Sequence, residues 1–332
     1  MHRRSFSALA FATLAGMKAM RPALAQDASG DLQNQLQRFK GFPGTTSLRI
    51  DVGDNIVASK SPGRQLFVAS TVKTFILCQY LRDVEAGRLS EDEQLSVDNS
   101  VRHSSSPVFL NLTGTTPARS ILEAMITHSD NTATDIALLH VGPDRVRSFI
   151  AAAGLRATLI PDSTRRFDSY IWGAPLGVDI GWAGVQQVLA SQQPFGPPRP
   201  ALNDQITLAS SANDMISYYK RALAGKFFTE PTTLAEFKRI HLTNAFFPDD
   251  TIGYAKGGSV TAFAEGFSVP DFFNLFHTLA VAGQMIVNAM PVTFCFVVNW
   301  MSEDPNSTST LEPAFFEVAK GSLEAIKRQL LA

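Results

Sequence analysis

The segments of this chain that read as β-strands lie at its two ends. "TTSLRIDVGDNIVASK", at 45 to 60, alternates around Asp54-Asn55 and reads as a two-stranded hairpin. Far downstream, "TIGYAKGGSV", "HTLAVAGQMIV" and "PVTFCFVVNWM" read as three more strands. Helical spacing dominates between them, and "EPAFFEVAKGSLEAIKRQLLA" ends the chain as an amphipathic helix. Two strands early and three late imply one sheet built from both ends of the chain. The expected class is α/β in the α+β sense: an antiparallel sheet flanked by helices, with a separate all-helical lobe. The sheet lobe would take about 26–62 and 211–332, and the helical lobe about 63–210. A groove between two such lobes is a natural place for a site.

Within the helical part, one helix starts near 70, runs to about Glu85 and stops at Gly87. "TPARSILEAMITHSDNTATDIALLHVG" gives two helical patterns broken at Ser129-Asp130-Asn131, and "PDRVRSFIAAAGL" a short helix with Pro143 near its start. From Arg156 to Ala209 the signal is mixed and loop-rich. "SANDMISYYKRALAG" and "TLAEFKRIHLTN" resume helical spacing.

A chain of 332 residues, 45% hydrophobic, can bury a full core as one large domain or two small ones. Its net charge of -1, without a basic stripe, argues against a nucleic-acid partner. "MHRRSFSALAFATLAGMKAMRPALAQD" has a basic start, a short apolar stretch and a small-x-small site ending at Ala25. This reads as an export signal over 1–25, with Arg3-Arg4 suited to the twin-arginine route. The rest, 26–332, would be one catalytic domain, periplasmic or secreted and without a membrane anchor. Cys78 and Cys295 both sit in apolar runs, where a lone thiol behaves as a small hydrophobe.

"FVASTVKTFILCQYL", at 67 to 81, places Ser70 three residues before Lys73 at the head of an apolar helix. Residues three apart share a helical face, so the two side chains are expected to touch. A lysine among Phe75, Ile76 and Leu77 loses solvation, its pKa falls, and an inert ammonium becomes a candidate base. Ser70 at a helix start gains from the dipole and from backbone N–H groups facing an incoming anion.

Ser-x-x-Lys at 70–73 is followed by Ser129-Asp130-Asn131 and then by Lys256-Gly257-Gly258 on a strand. Each motif alone is common; all three in this order, each on the expected kind of element, resemble the class A serine β-lactamases among the penicillin-recognising enzymes. The likeness extends through the hairpin, "SSSPVF", the strand trio and the last helix. It implies the β-lactamase/transpeptidase-like fold, with Ser70 as nucleophile and neither metal nor organic cofactor. By the same resemblance Ser129 passes a proton to the leaving nitrogen, Asn131 holds the substrate's amide, and Lys256 attracts its carboxylate. Gly258 lies on the substrate-binding strand, Ser70 and Ser259 supply the oxyanion-hole N–H groups, and Asp130 braces the loop.

The chain also departs from that family. The Arg-x-Glu-x-x-Leu-Asn loop, whose glutamate activates the deacylating water, is replaced by "LIPDSTRRFDSYIWGAP". Asp168 can stand in as that base, or can pair with Arg165 or Arg166 and merely brace the loop. Gly257 offers no hydroxyl to a carboxylate, although Ser259 lies two residues on and on the same strand face. His277, about where some members carry an arginine, reads as a surface histidine. "TAFAEGFSVPDFFNLF", at 261 to 276, reads as an apolar flap or a packed satellite cluster.

The expected function is opening of β-lactam rings by a monomeric enzyme through an acyl-enzyme on Ser70, with slow deacylation. The rivals are a D-alanyl-D-alanine peptidase acting on peptidoglycan-like peptides, another amide or ester hydrolase on the same scaffold, and a β-lactam-binding protein that stays acylated.

Overall fold

The structure, a computed structural model, describes residues 22–191, 193–260, 276–304 and 306–332. Most of the stretch read as an export signal, 1–21, and the Phe-rich stretch 261–275 lie outside the described residues. Helix α1 (Pro22–Lys40) leads into the hairpin β1 (Thr45–Val52) and β2 (Asn55–Lys60). β3 (Leu66–Phe67) enters a 3₁₀ turn at Ala69–Val72 that continues as α2 (Lys73–Glu85). A small pair, β4 (Gln94–Val97) and β5 (Gly114–Pro117), precedes α3 (Ala118–Thr127), α4 (Asn131–Val141) and α5 (Pro143–Ala152). Next come α6 (Thr164–Ile171), α7 (Gly181–Ser191), β6 (Ala209–Ser210), α8 (Ala212–Leu223) and α9 (Pro231–His241). The chain closes with β7 (Ile252–Val260), β8 (Phe276–Val287), β9 (Met290–Met301) and α10 (Ser307–Leu331).

Among the described residues the main sheet runs β2-β1-β9-β8-β7, antiparallel throughout, so the two chain ends do share one sheet. Its two faces differ in side-chain size. Leu279 and Val281 of β8, with Phe294, Phe296 and Val298 of β9, pack against Leu32, Leu36 and Phe39 of α1 and Phe315, Val318 and Leu323 of α10. The alternate residues Ala280, Ala282, Cys295 and Val297 face the core around α2. Small side chains on that face let the helical part of the molecule approach the sheet closely. Helices α8 and α9 join this core through Met215, Tyr218, Phe237 and Ile240. Cys78 and Cys295 are both free and buried, and burial pushes the Cys78 thiol up to about 12, far from a reactive thiolate.

Three helices went unread in the sequence. Over 29–40, where its side chains are described, α1 buries Leu32, Leu36 and Phe39, a stripe at i, i+4, i+7 in an otherwise polar stretch. α6 and α7 fall in the stretch read as loop-rich. The sequence "TRRFDSYI" of α6 has weak helix propensity; its start is held by a Ser163 cap on the Arg166 N–H at 3.0 Å and by buried Asp135 of α4, which accepts from the Thr164 N–H at 2.6 Å and the Arg165 N–H at 3.1 Å.

Candidate active site

The nucleophile candidate sits where the helix begins. Ser70 lies in the 3₁₀ turn, preceded by Ala69 at φ +47°, a left-handed backbone that alanine rarely adopts. β7, the edge strand of the sheet, lies directly against this turn. A methyl group on Gly258 would come within 2.5 Å of the Val68 carbonyl oxygen, 2.8 Å of the Ser70 nitrogen and 3.0 Å of the Thr71 nitrogen. Only a glycine lets the strand come so near the serine's backbone N–H.

Two buried lysines converge on Ser129. Lys73 Nζ donates to the Ser129 carbonyl oxygen at 2.5 Å, to Ser129 Oγ at 3.2 Å and to Asn131 Oδ1 at 2.7 Å. Among the described residues no hydrogen bond joins it to Ser70. Its donors are taken instead by a carbonyl, an amide oxygen and a hydroxyl on the Ser129 loop. Burial, and then the positive charge of Lys256, hold the Lys73 pKa well below the ordinary lysine value. Lys256 Nζ reaches Ser129 Oγ from the other side at 3.0 Å and also donates to the Gly257 carbonyl at 2.9 Å. Burial lowers its pKa to about 7. Set between the two lysine nitrogens, the Ser129 hydroxyl can receive a proton from one of them as it hands its own to a group in the cavity. Ser129 itself has φ +57°, so both Ala69 and Ser129 carry backbone strain at the site.

The Ser129 loop is held by its neighbours. Buried Asp130 caps α4, accepting from the Ala133 N–H at 2.8 Å, and its other oxygen accepts from the Val108 and Phe109 N–H groups at 2.9 Å. The Asn131 N–H donates to the Ser105 carbonyl at 3.1 Å, and the His103 N–H donates to Thr132 Oγ1 at 2.9 Å. The segment 103–109 and the Ser129 motif therefore form one bonded unit.

Asp168 does not pair with either arginine. Arg165 is bound to Asp179 and to the carbonyls of Asn99, Ser100 and Arg102, while Arg166 reaches Asp162 at 3.0 Å. Asp168 Oδ2 instead lies 2.7 Å from Nε2 of His103, a residue passed over in the sequence. No local pattern links the two; they meet only because α6 folds back over the 103–106 segment.

His277 is buried, not on the surface. Its ring stacks on Trp300 at 5.2 Å and its Nδ1 lies 2.8 Å from Thr308 Oγ1, because α10 begins directly over the start of β8. Ser259 is exposed and faces the cavity.

That cavity, about 690 Å³, joins these groups. Ser70, Ser129, Asn131, Ser259, His103 and Asp168 all line it. Polar Ser106, Thr164 and Arg199 also line it, beside an apolar stretch that includes Phe67, Phe167, Ile171, Trp172, Pro200 and Leu208, with Phe67 and Phe167 stacked at 5.5 Å.

The sequence profile described as the beta-lactamase enzyme family matches residues 29–237. No curated protein matches the chain. Solved structures resemble it over nearly their whole length. A beta-lactamase from Sphaerobacter thermophilus superposes with TM-score 0.66 at 16% identity, covering 91% of this chain and 98% of that one. One from Xanthomonas campestris gives 0.65 at 15%, with the same coverage of 91% and 98%. A PBP-A mutant, solved as its acyl-enzyme complex with penicillin G, gives 0.63 at 16%, covering 93% and 97%.

Proposed function

Because this chain belongs to the beta-lactamase enzyme family, we propose that it is an exported serine hydrolase that opens β-lactam rings through an acyl-enzyme on Ser70. The observation that carries this reading is the Ser129 hydroxyl, held between Lys73 at 3.2 Å and Lys256 at 3.0 Å on the cavity that Ser70 also lines. Ser70 Oγ attacks the lactam carbonyl, and its proton passes to Lys73 in its amine form, which burial favours by holding the Lys73 pKa well below the ordinary lysine value. The developing oxyanion is met by the Ser70 N–H and by the N–H of Ser259 on β7. Ser129 gives its proton to the departing nitrogen and is resupplied by the lysines beside it. Lys256, near neutrality when free, regains its charge when an anionic substrate enters, since an opposite charge favours the charged form. Asn131 holds the substrate's side-chain amide while its own Oδ1 steadies Lys73.

Deacylation needs a water held by a carboxylate, and among the described residues Asp168 is the carboxylate that lines this cavity. A shorter acid than the family's glutamate holds the water less well, so the adduct on Ser70 accumulates and clears slowly. Intact-protein mass spectrometry after mixing with benzylpenicillin tests the assignment. The expected result is one penicilloyl adduct on the parent and none on Ser70→Ala; equal labelling of both removes Ser70 from the nucleophile's role.

A second reading draws on the apolar wall formed by Phe67, Phe167, Ile171 and Trp172. It suits an ester or amide with a bulky apolar acyl group, and a chromogenic ester assayed beside a chromogenic cephalosporin separates the two. Turnover of the ester alone favours this second reading.

A further inference from the structure

We propose that His103 is the positioning residue for hydrolysis of the acyl-enzyme, fixing Asp168 so that its carboxylate takes the proton of the attacking water. This rests on the acyl-enzyme reading of Ser70. His103 is almost fully buried, with its side chain 3% exposed, yet it reaches the wall of the cavity. Its Nδ1 accepts from the Ser105 N–H at 3.0 Å, so that nitrogen carries no proton in the neutral ring. The ring proton is therefore on Nε2, 2.7 Å from Asp168 Oδ2. The contact is off the line of an ideal hydrogen bond, as catalytic contacts often are before substrate binds.

With both ring nitrogens engaged, His103 has no lone pair left for a water, and the base must be the carboxylate. Asp168 Oδ1 has no hydrogen-bond partner among the described residues, and the side chain is 15% exposed on the cavity. One oxygen is thus held by protein and the other is offered to solvent.

The imidazole also ties this carboxylate to the acylation machinery. The connection runs from Asp168 to His103 by this 2.7 Å contact, and then by hydrogen bonds from the Ser105 N–H to His103 Nδ1, from the Asn131 N–H to the Ser105 carbonyl, and from Lys73 Nζ to Asn131 Oδ1. Water position and lysine position are therefore set by one framework. In the step itself, Asp168 accepts one proton from water and the resulting hydroxide bonds to the acyl carbonyl carbon. The ester bond to Ser70 Oγ then breaks and the proton passes to that oxygen. Ester and water become a carboxylic acid and a restored serine hydroxyl, with no other reactant.

The test compares parent, His103→Ala, His103→Gln, Asp168→Asn and the His103→Ala/Asp168→Asn double variant. Adduct formation with benzylpenicillin and adduct clearing are timed separately by intact mass, alongside melting temperatures. The expected result is adduct formation in every variant. Clearing should slow on the order of a hundredfold in His103→Ala, the usual consequence of a base misplaced by about 1 Å. The double variant should clear no more slowly than Asp168→Asn alone. His103→Gln should recover part of the loss, because its amide N–H can reach the same carboxylate while its oxygen accepts from Ser105. Clearing at the parental rate in His103→Ala overturns the proposal, as does a double variant whose losses multiply. Equal slowing of formation and clearing in both His103 variants, with matched losses of melting temperature, overturns it too, since that pattern belongs to a purely structural residue. A parent that never clears its adduct also overturns it, whereas a parent that never forms one refutes the acyl-enzyme reading instead.

Discussion

Replacing Gly258 with alanine adds a single methyl group, and the structure says where it must go. Its nearest neighbours would be backbone atoms: the Val68 oxygen at 2.5 Å, the Ser70 nitrogen at 2.8 Å and the Thr71 nitrogen at 3.0 Å. Non-bonded carbon contacts settle at about 3.5 Å or more, so an overlap of roughly 1 Å has to be relieved. The turn that carries Ser70 is poorly able to yield. Val68 O already accepts from the Thr71 N–H at 3.2 Å and from Thr71 Oγ1 at 2.9 Å, and the Val68 N–H donates to the Leu208 carbonyl at 2.9 Å. β7 is an edge strand, held by β8 and at Tyr254 by a bridge to Leu242, so it moves instead. The cost in stability is that of ordinary overpacking, about 1–3 kcal/mol. The cost in rate is larger, because β7 carries Lys256 and Ser259 away from Ser70, and about 1 Å of misplacement is worth on the order of a hundredfold. Gly257→Ala is the control: its methyl group would meet nothing nearer than the Ala280 oxygen at 3.9 Å. Stopped-flow acylation by a chromogenic cephalosporin, run beside thermal unfolding, reads both quantities. A Gly258→Ala protein that acylates within threefold of the parent, or no more slowly than Gly257→Ala, would refute the reasoning.

Lys73→Ala should lower the acylation rate by about 10² to 10⁴ without abolishing the fold, and near-parental acylation would show that another group deprotonates Ser70. For Lys256 the folded pKa, about 7, lies below the unfolded value, so the unfolded chain binds the extra proton between the two. Stability should therefore rise with pH from about 7 towards 10, by at most about 5 kcal/mol for this group. Lys256→Met should flatten that rise in urea titrations, and an unchanged slope would mean the charge is tolerated. For a carboxylate-bearing substrate, kcat/KM should fall above about pH 7 as free Lys256 loses its proton, and a rise there would contradict its role. His277→Ala should cost about 2–4 kcal/mol through the lost stacking on Trp300 and contact with Thr308, while the relative rates across substrates stay as they were. A changed substrate order with unchanged stability would return His277 to the site.

What the sequence alone could determine was whatever is local along the chain. Alternation around Asp54-Asn55 marked the hairpin, and the run from 277 to 301 marked the paired strands β8 and β9. Ser70 with Lys73 and Ser129 with Asn131 are short motifs, so their residue types were legible before any coordinates. The apolar company of Lys73 also announced its burial, because a helix places i, i+3 and i+4 on one face. Tertiary structure decided the rest. Whether Lys73 bonds to Ser70 or to the Ser129 loop depends on how α2 meets the start of α4, across 56 residues of chain. His277 looked like an exposed strand end until α10 covered it with Thr308. The partner of Asp168 could not be guessed from the arginines beside it, since Asp179 and Asp162 take those, and His103 comes from far upstream. Even the helix that carries Asp168 shares its start between a local Ser163 cap and Asp135, a buried carboxylate on another helix. Periodicity reports which face of an element is buried; it says nothing of what that face meets, and at this site the chemistry lies in what is met.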